Sequence, residues 1–131
     1  MNNINLEIEN KHNIGCVVNK NGNYDLIINK KIEEGKTEIV SLELEKIDIV
    51  NLINGILKVY SFALKNNKDT FLYDIVKGKI SLEYDSNNDI SNIRISSDMA
   101  TRLDMYKVIY LKLTNKDLLS LSIMLSSTLT K

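Results

Sequence analysis

The chain has no proline and no tryptophan, and it carries one cysteine, one histidine and five glycines among 131 residues. With Cys16 alone, no internal disulfide can form, and a reducing, cytoplasmic compartment suits the chain best. With His12 alone, placed in a polar stretch, no nucleophile has a histidine base backed by a second histidine, so no catalytic residues are expected. His12 and Cys16 share strand parity, but two ligands on one strand make neither a closed nor a catalytic zinc site. The expectation is a surface histidine and a core cysteine, with no metal and no cofactor. The glycines are scattered and none begins a helix, so no phosphate-cradling loop is present. Nor is there an excess of charge. Seventeen basic and seventeen acidic residues argue against a polyanion binder held by bulk charge, though a local basic face stays open. No basic region followed by an apolar stretch marks a secretory signal. The longest helical apolar stretch, residues 47–64, is interrupted by Asp48, Asn51, Asn54 and Lys58, and is read as no membrane span.

What the chain does have is one phrase written twice. Leu42-x-Leu44 leads to Asp48-Ile49-Val50-x-Leu52 and then Ile56; Leu111-x-Leu113 leads to Asp117-Leu118-Leu119-x-Leu121 and then Leu125. Each phrase alternates and then switches, across a short polar break, to helical spacing, which is how a strand running into a helix reads. The offset is 69 residues from Leu42 to Leu111 and again from Asp48 to Asp117. A fixed offset marks a tandem duplication of a unit of roughly 60 residues.

The rest of each half fits the same plan. Alternating segments predict strands over residues 4–8, 14–18, 24–30 and 37–44, then a helix over 47–65. The second half predicts strands over 71–76, 80–84, 90–95 and 105–113, then a helix capped by Thr114 and running to about 130. Asn19-Lys20-Asn21-Gly22-Asn23 is a hairpin turn with the Asn-Gly pair such turns favour, and Asp85-Ser86-Asn87-Asn88-Asp89 mirrors it. Residues 96–104 carry no clear pattern. The fold class is therefore α+β, a tandem β-β-β-β-α repeat with two antiparallel four-stranded sheets and two helices. It forms a single domain, 1–131, of two repeats at about 3–66 and 70–131.

Both helices are apolar over more than one stripe, wider than packing on a single sheet requires. Val50, Val59, Leu119 and Ile123 lie off the main stripes and are the candidate interface of a dimer or tetramer. In the last strand Ile109, Leu111 and Leu113 face the helices, which turns Tyr106, Tyr110 and Lys112 to the other side. Tyr73, Lys79 and Arg94 on neighbouring strands are expected to extend that face. Aromatics interleaved with cations on a sheet form a platform for unstacked bases.

Val76-Lys77-Gly78-Lys79-Ile80-Ser81-Leu82 resembles the Lys-Gly-Lys-Ala-Ala-Leu motif of the Whirly family of single-stranded DNA-binding proteins. The passage from Leu113 through Thr114 and Asp117 to Leu121 is similar to the strand-to-helix step that follows it there, and Ser61-Phe62-Ala63-Leu64 resembles the end of the family's second helix. The Lys-Gly-Lys phrase stands here in the second half, where the family has it in the first. The related guide-RNA-binding proteins, the PC4-like coactivator domain and the Pur repeat share the unit. The resemblance implies a Whirly-like fold, contact of Lys77 and Lys79 with nucleic acid or with assembly, and tetramers formed through the helices. The function expected is single-stranded DNA or RNA binding without catalysis. The alternative is a nonenzymatic interaction or structural module that oligomerises through its helices. Partners are nucleic acid and self, not a membrane.

Overall fold

The computed structural model describes residues 5–9, 12–33, 35–65, 71–76, 79–97 and 107–130. Four strands, β1 (Asn5–Ile8), β2 (His12–Val18), β3 (Tyr24–Glu33) and β4 (Lys36–Leu44), lead into helix α1 (Lys46–Leu64). The order repeats as β5 (Phe71–Val76), β6 (Ile80–Asp85), β7 (Ile90–Ser97), β8 (Lys107–Leu113) and helix α2 (Asn115–Leu129). Each half is an antiparallel four-stranded meander, β1-β2-β3-β4 and β5-β6-β7-β8. This is the expected class and architecture. Lys77 and Tyr106 lie outside the described residues, as do 98–104 of the stretch without a pattern, while Ser96 and Ser97 continue β7.

Side-chain parity decides which face of each sheet is buried. In the first sheet Ile14, Cys16, Leu26, Ile28, Val40 and Leu42 point inward, and in the second Ile80, Leu82, Ile93, Ile95, Ile109 and Leu111. The turns match as well. Asn19 folds its side-chain oxygen back onto the N–H groups of Asn21 and Asn23 at 2.9 and 3.1 Å. Gly22 supplies the positive φ of 84°. Asp85 does the same to the Asn87 N–H at 3.0 Å, and Asp89 takes the positive φ of 53°.

The helices cross over. Helix α1 packs on β5 and β6, α2 packs on β1 and β2, and the two helices pack on each other. Each helix therefore covers mainly the other repeat's sheet. By length and composition α1 could cross a membrane, but Ile49, Leu52, Gly55, Ile56, Val59 and Ala63 on one of its sides are buried. That side includes Val59, which the sequence pattern places off the main stripe. The reason is Gly55, which carries no hydrophobic signal but admits close neighbours. A Cβ on Gly55 would lie 2.8 Å from side-chain atoms of both Tyr73 and Ile75, so β5 and α1 meet there more closely than any other residue permits.

Candidate nucleic-acid interface

The outward face of the second sheet is assembled by register. Tyr110 stands opposite Arg94 and Lys112 opposite Asn92 across β7 and β8. Ser81 follows Arg94, and Glu83 follows Asn92, on β6. Asp74 and Leu72 complete the two rows on β5. Tyr110 is 54% exposed and Lys112 is exposed, while Arg94 and Asn92 are half-buried between neighbours. The face is thus divided, with the cations and the aromatic ring on β7–β8 and the carboxylates of Asp74 and Glu83 on β5–β6. A brace from the first sheet steadies the outer strand, because the Lys30 ammonium donates to the Tyr110 carbonyl at 2.8 Å. Lys30 shares parity with the inward-facing Leu26 and Ile28, which is the signal that could have revealed it.

Tyr73 is a correction to the expected platform. It pairs with inward-facing Leu82, so its ring lies on the helix side of the sheet, against Gly55 and 5.2 Å from the Lys58 ammonium. A register shift in β5 between Asp74 and Val76 obscures its parity in the sequence. Lys79 occupies the turn just before β6, where its carbonyl accepts the Ser96 N–H at 2.8 Å.

The equivalent place in the first sheet reads differently. There Asp25 pairs with Glu43, and Ile27 with Ser41, where the second sheet pairs Asn92 with Lys112 and Arg94 with Tyr110. Two carboxylates thus stand where the other repeat has an amide and a cation, and an isoleucine and a serine stand where it has a second cation and a tyrosine. Asn19 donates to both Asp25 (3.1 Å) and Glu43 (2.9 Å), and Asn23 also donates to Glu43. These amides, Asn19's first, hold the Glu43 carboxyl below its usual range.

On the helices Leu119 and Ile123 are exposed, the latter by 59%, and Val50 is half-buried. Val59 is 0% exposed and is a core residue rather than an interface residue. With Ile53, Leu57, Ser122 and Ser126, Ile123 lines a shallow groove of about 300 Å³ between α1 and α2.

Two chemically capable side chains are committed to the interior. His12 is buried, not on the surface as expected, because β2 begins at that residue and the Lys31 N–H donates to its Nδ1 at 3.0 Å. Cys16 is in the core as expected. Burial above all pushes its thiol up to about 11, against a hydrogen bond with Thr128 that pulls it down. Among the described residues no three His, Cys, Asp or Glu side chains gather as a metal site. Neither a protein-family model nor a curated protein sequence matches the chain.

Proposed function

We propose that the chain is a nonenzymatic single-stranded nucleic-acid-binding protein that works through the β7–β8 half of its second sheet. The observation that carries this reading is the divergence of the two repeats at one place. Where the first repeat has Asp25, Glu43, Ile27 and Ser41, the second has Asn92, Lys112, Arg94 and Tyr110. Packing alone gives no reason for that quartet, since all four side chains point away from the core. Tyr110 offers a ring to one base, worth about 1–3 kcal/mol. Arg94 and Lys112 flank it for phosphates, and the Asn92 amide can meet a base edge. The adjoining carboxylates of Asp74 and Glu83 confine a strand to the β7–β8 side. The resemblance of the Lys-Gly-Lys segment to the Whirly motif supports the same reading.

Fluorescence anisotropy with labelled oligo-dT at low salt tests it. Binding at micromolar protein is expected, with a modest salt slope because few cations take part. Tyr110→Ala, and separately Arg94→Gln with Lys112→Gln, should weaken it. No binding by a folded sample would remove the proposal.

A second reading stands beside this one rather than against it. The groove between α1 and α2 carries exposed apolar side chains, Leu57 and Ile123, beside the small Ser122 and Ser126. Bulky and small side chains on one face suit a second copy related by a two-fold axis. Such a dimer, or a tetramer built from it, would bury the helices centrally and leave the sheets outward for an extended ligand. Light scattering that finds only monomer at tens of micromolar would sink it.

A further inference from the structure

We infer that the cleft between α1 and β5 binds a small organic phosphate, on the side of the second sheet opposite to the proposed nucleic-acid face. Asn51, Asn54, Lys58 and Ser61 recur at helical spacing and turn one polar stripe of α1 toward Tyr73 and Ile75 of β5. With Leu57 they line an open cleft of about 670 Å³, a size within the roughly 300–1,000 Å³ of small-ligand sites. Its walls are set by Gly55, whose missing side chain lets Tyr73 and Ile75 close against the helix.

The chemistry of the lining selects the ligand. Among the described residues Lys58 is the only charged side chain in the lining, with no carboxylate beside it. The ammonium lies 5.2 Å from the centre of the Tyr73 ring and 3.4 Å from its phenol oxygen. Those uncharged partners position the cation without neutralising it. A phosphate monoester, with a charge near −2 at neutral pH, is the complementary group. Asn51 and Asn54, one turn apart, present carboxamides that can both donate to and accept from hydroxyls, and Ser61 adds a third such group. Leu57, Ile75 and the exposed part of the Tyr73 ring offer an apolar wall to the remainder of the molecule. The class that fits is a phosphorylated, hydroxyl-bearing compound, either a nucleoside monophosphate or a sugar phosphate.

Calorimetric titration of the full chain with adenosine monophosphate, ribose 5-phosphate and inorganic phosphate tests this. At least one organic phosphate should bind with Kd below about 1 mM, and inorganic phosphate about tenfold more weakly or not at all. Binding by the nucleotide alone would place the base on the apolar wall, and binding by both would identify a sugar-phosphate site. Lys58→Gln should weaken binding about tenfold, and Asn54→Ala by a smaller factor, with circular dichroism unchanged, since both residues are exposed. Tyr110→Ala should leave it intact, which separates this site from the sheet face. The proposal is overturned if neither organic phosphate binds, if inorganic phosphate binds equally well, if Lys58→Gln binds like the wild type, or if Tyr110→Ala abolishes binding.

Discussion

Asp48 and Asp117 hold the same post in the two halves. Each is the third residue of its helix, and each carboxylate accepts the N–H of the residue that caps it, Glu45 at 3.0 Å and Thr114 at 2.9 Å. The caps differ in one respect. The Thr114 hydroxyl returns a bond to the Asp117 N–H at 3.1 Å, whereas the Asp48 N–H is met at 3.0 Å by the backbone carbonyl of Glu45. Thr114→Ala should therefore cost about 1 kcal/mol, and Glu45→Ala much less. Urea unfolding of the two variants checks this, and equal losses would contradict the asymmetry.

Alkaline pH should weaken the fold in two stages. The Cys16 thiol rises from 9.0 to about 11, mainly by burial, and the Tyr84 phenol from 10.0 to about 12, first through its 2.6 Å hydrogen bond to Asp89. Both folded values lie above the unfolded ones, so both contributions are intact below about pH 9. They are lost as pH climbs toward 11 and 12 respectively. Denaturation midpoints measured from pH 8 to 11 should fall, and Tyr84→Phe should flatten the part of the decline above pH 10. A thiol reagent at pH 8 should label Cys16 only in unfolded chains.

Ser91 is fully buried, and its hydroxyl has no hydrogen-bond partner among the described residues. An unmet buried hydroxyl is a cost that alanine removes without leaving a large cavity. Ser91→Ala should be neutral or stabilising by up to about 1 kcal/mol. A clear loss of stability in thermal unfolding would show that the hydroxyl is satisfied after all.

Gly55→Ala should destabilise by about 1–3 kcal/mol, because the added methyl meets Tyr73 and Ile75 at 2.8 Å. Denaturant titration reads the loss directly. Wild-type stability would mean that β5 can retreat from the helix.

Val59→Asp and Ile123→Asp should part company. The first buries an unpaired charge among Val59's core neighbours and should unfold the chain, at a cost of several kcal/mol. The second places its charge on an exposed position, so the chain should stay folded and lose only self-association. Circular dichroism with light scattering separates the two outcomes.

The strands and the ends of both helices were readable from the sequence because period-two and period-3.6 patterns are local. Thr114 and Asp117 marked the start of α2 in the same way. What the sequence hid was long-range. Tyr73 changed sides because a register shift in β5 breaks parity, and Val59 proved central because Gly55, which has no side chain to signal it, brings α1 close to β5. His12 reads as a loop residue in the sequence, whereas β2 begins there. At the proposed binding face, Tyr110, Arg94 and Lys112 followed from parity alone. The contrast with Asp25 and Glu43 needed the register of both sheets, and the cleft beside Lys58 depends on α1 lying over β5, which no local pattern encodes.

The crossing of the helices has a consequence for how such a chain can arise and come apart. A separated half would hold a sheet lacking most of its helical cover, and a helix with little beneath it. Two free halves could satisfy each other only by trading helices, as separate chains do in a swapped dimer. A single covalent link makes that trade intramolecular, at an effective concentration of the order of millimolar, so the partner is always at hand. Cutting the chain between α1 and β5 should therefore leave two fragments that fold only when mixed.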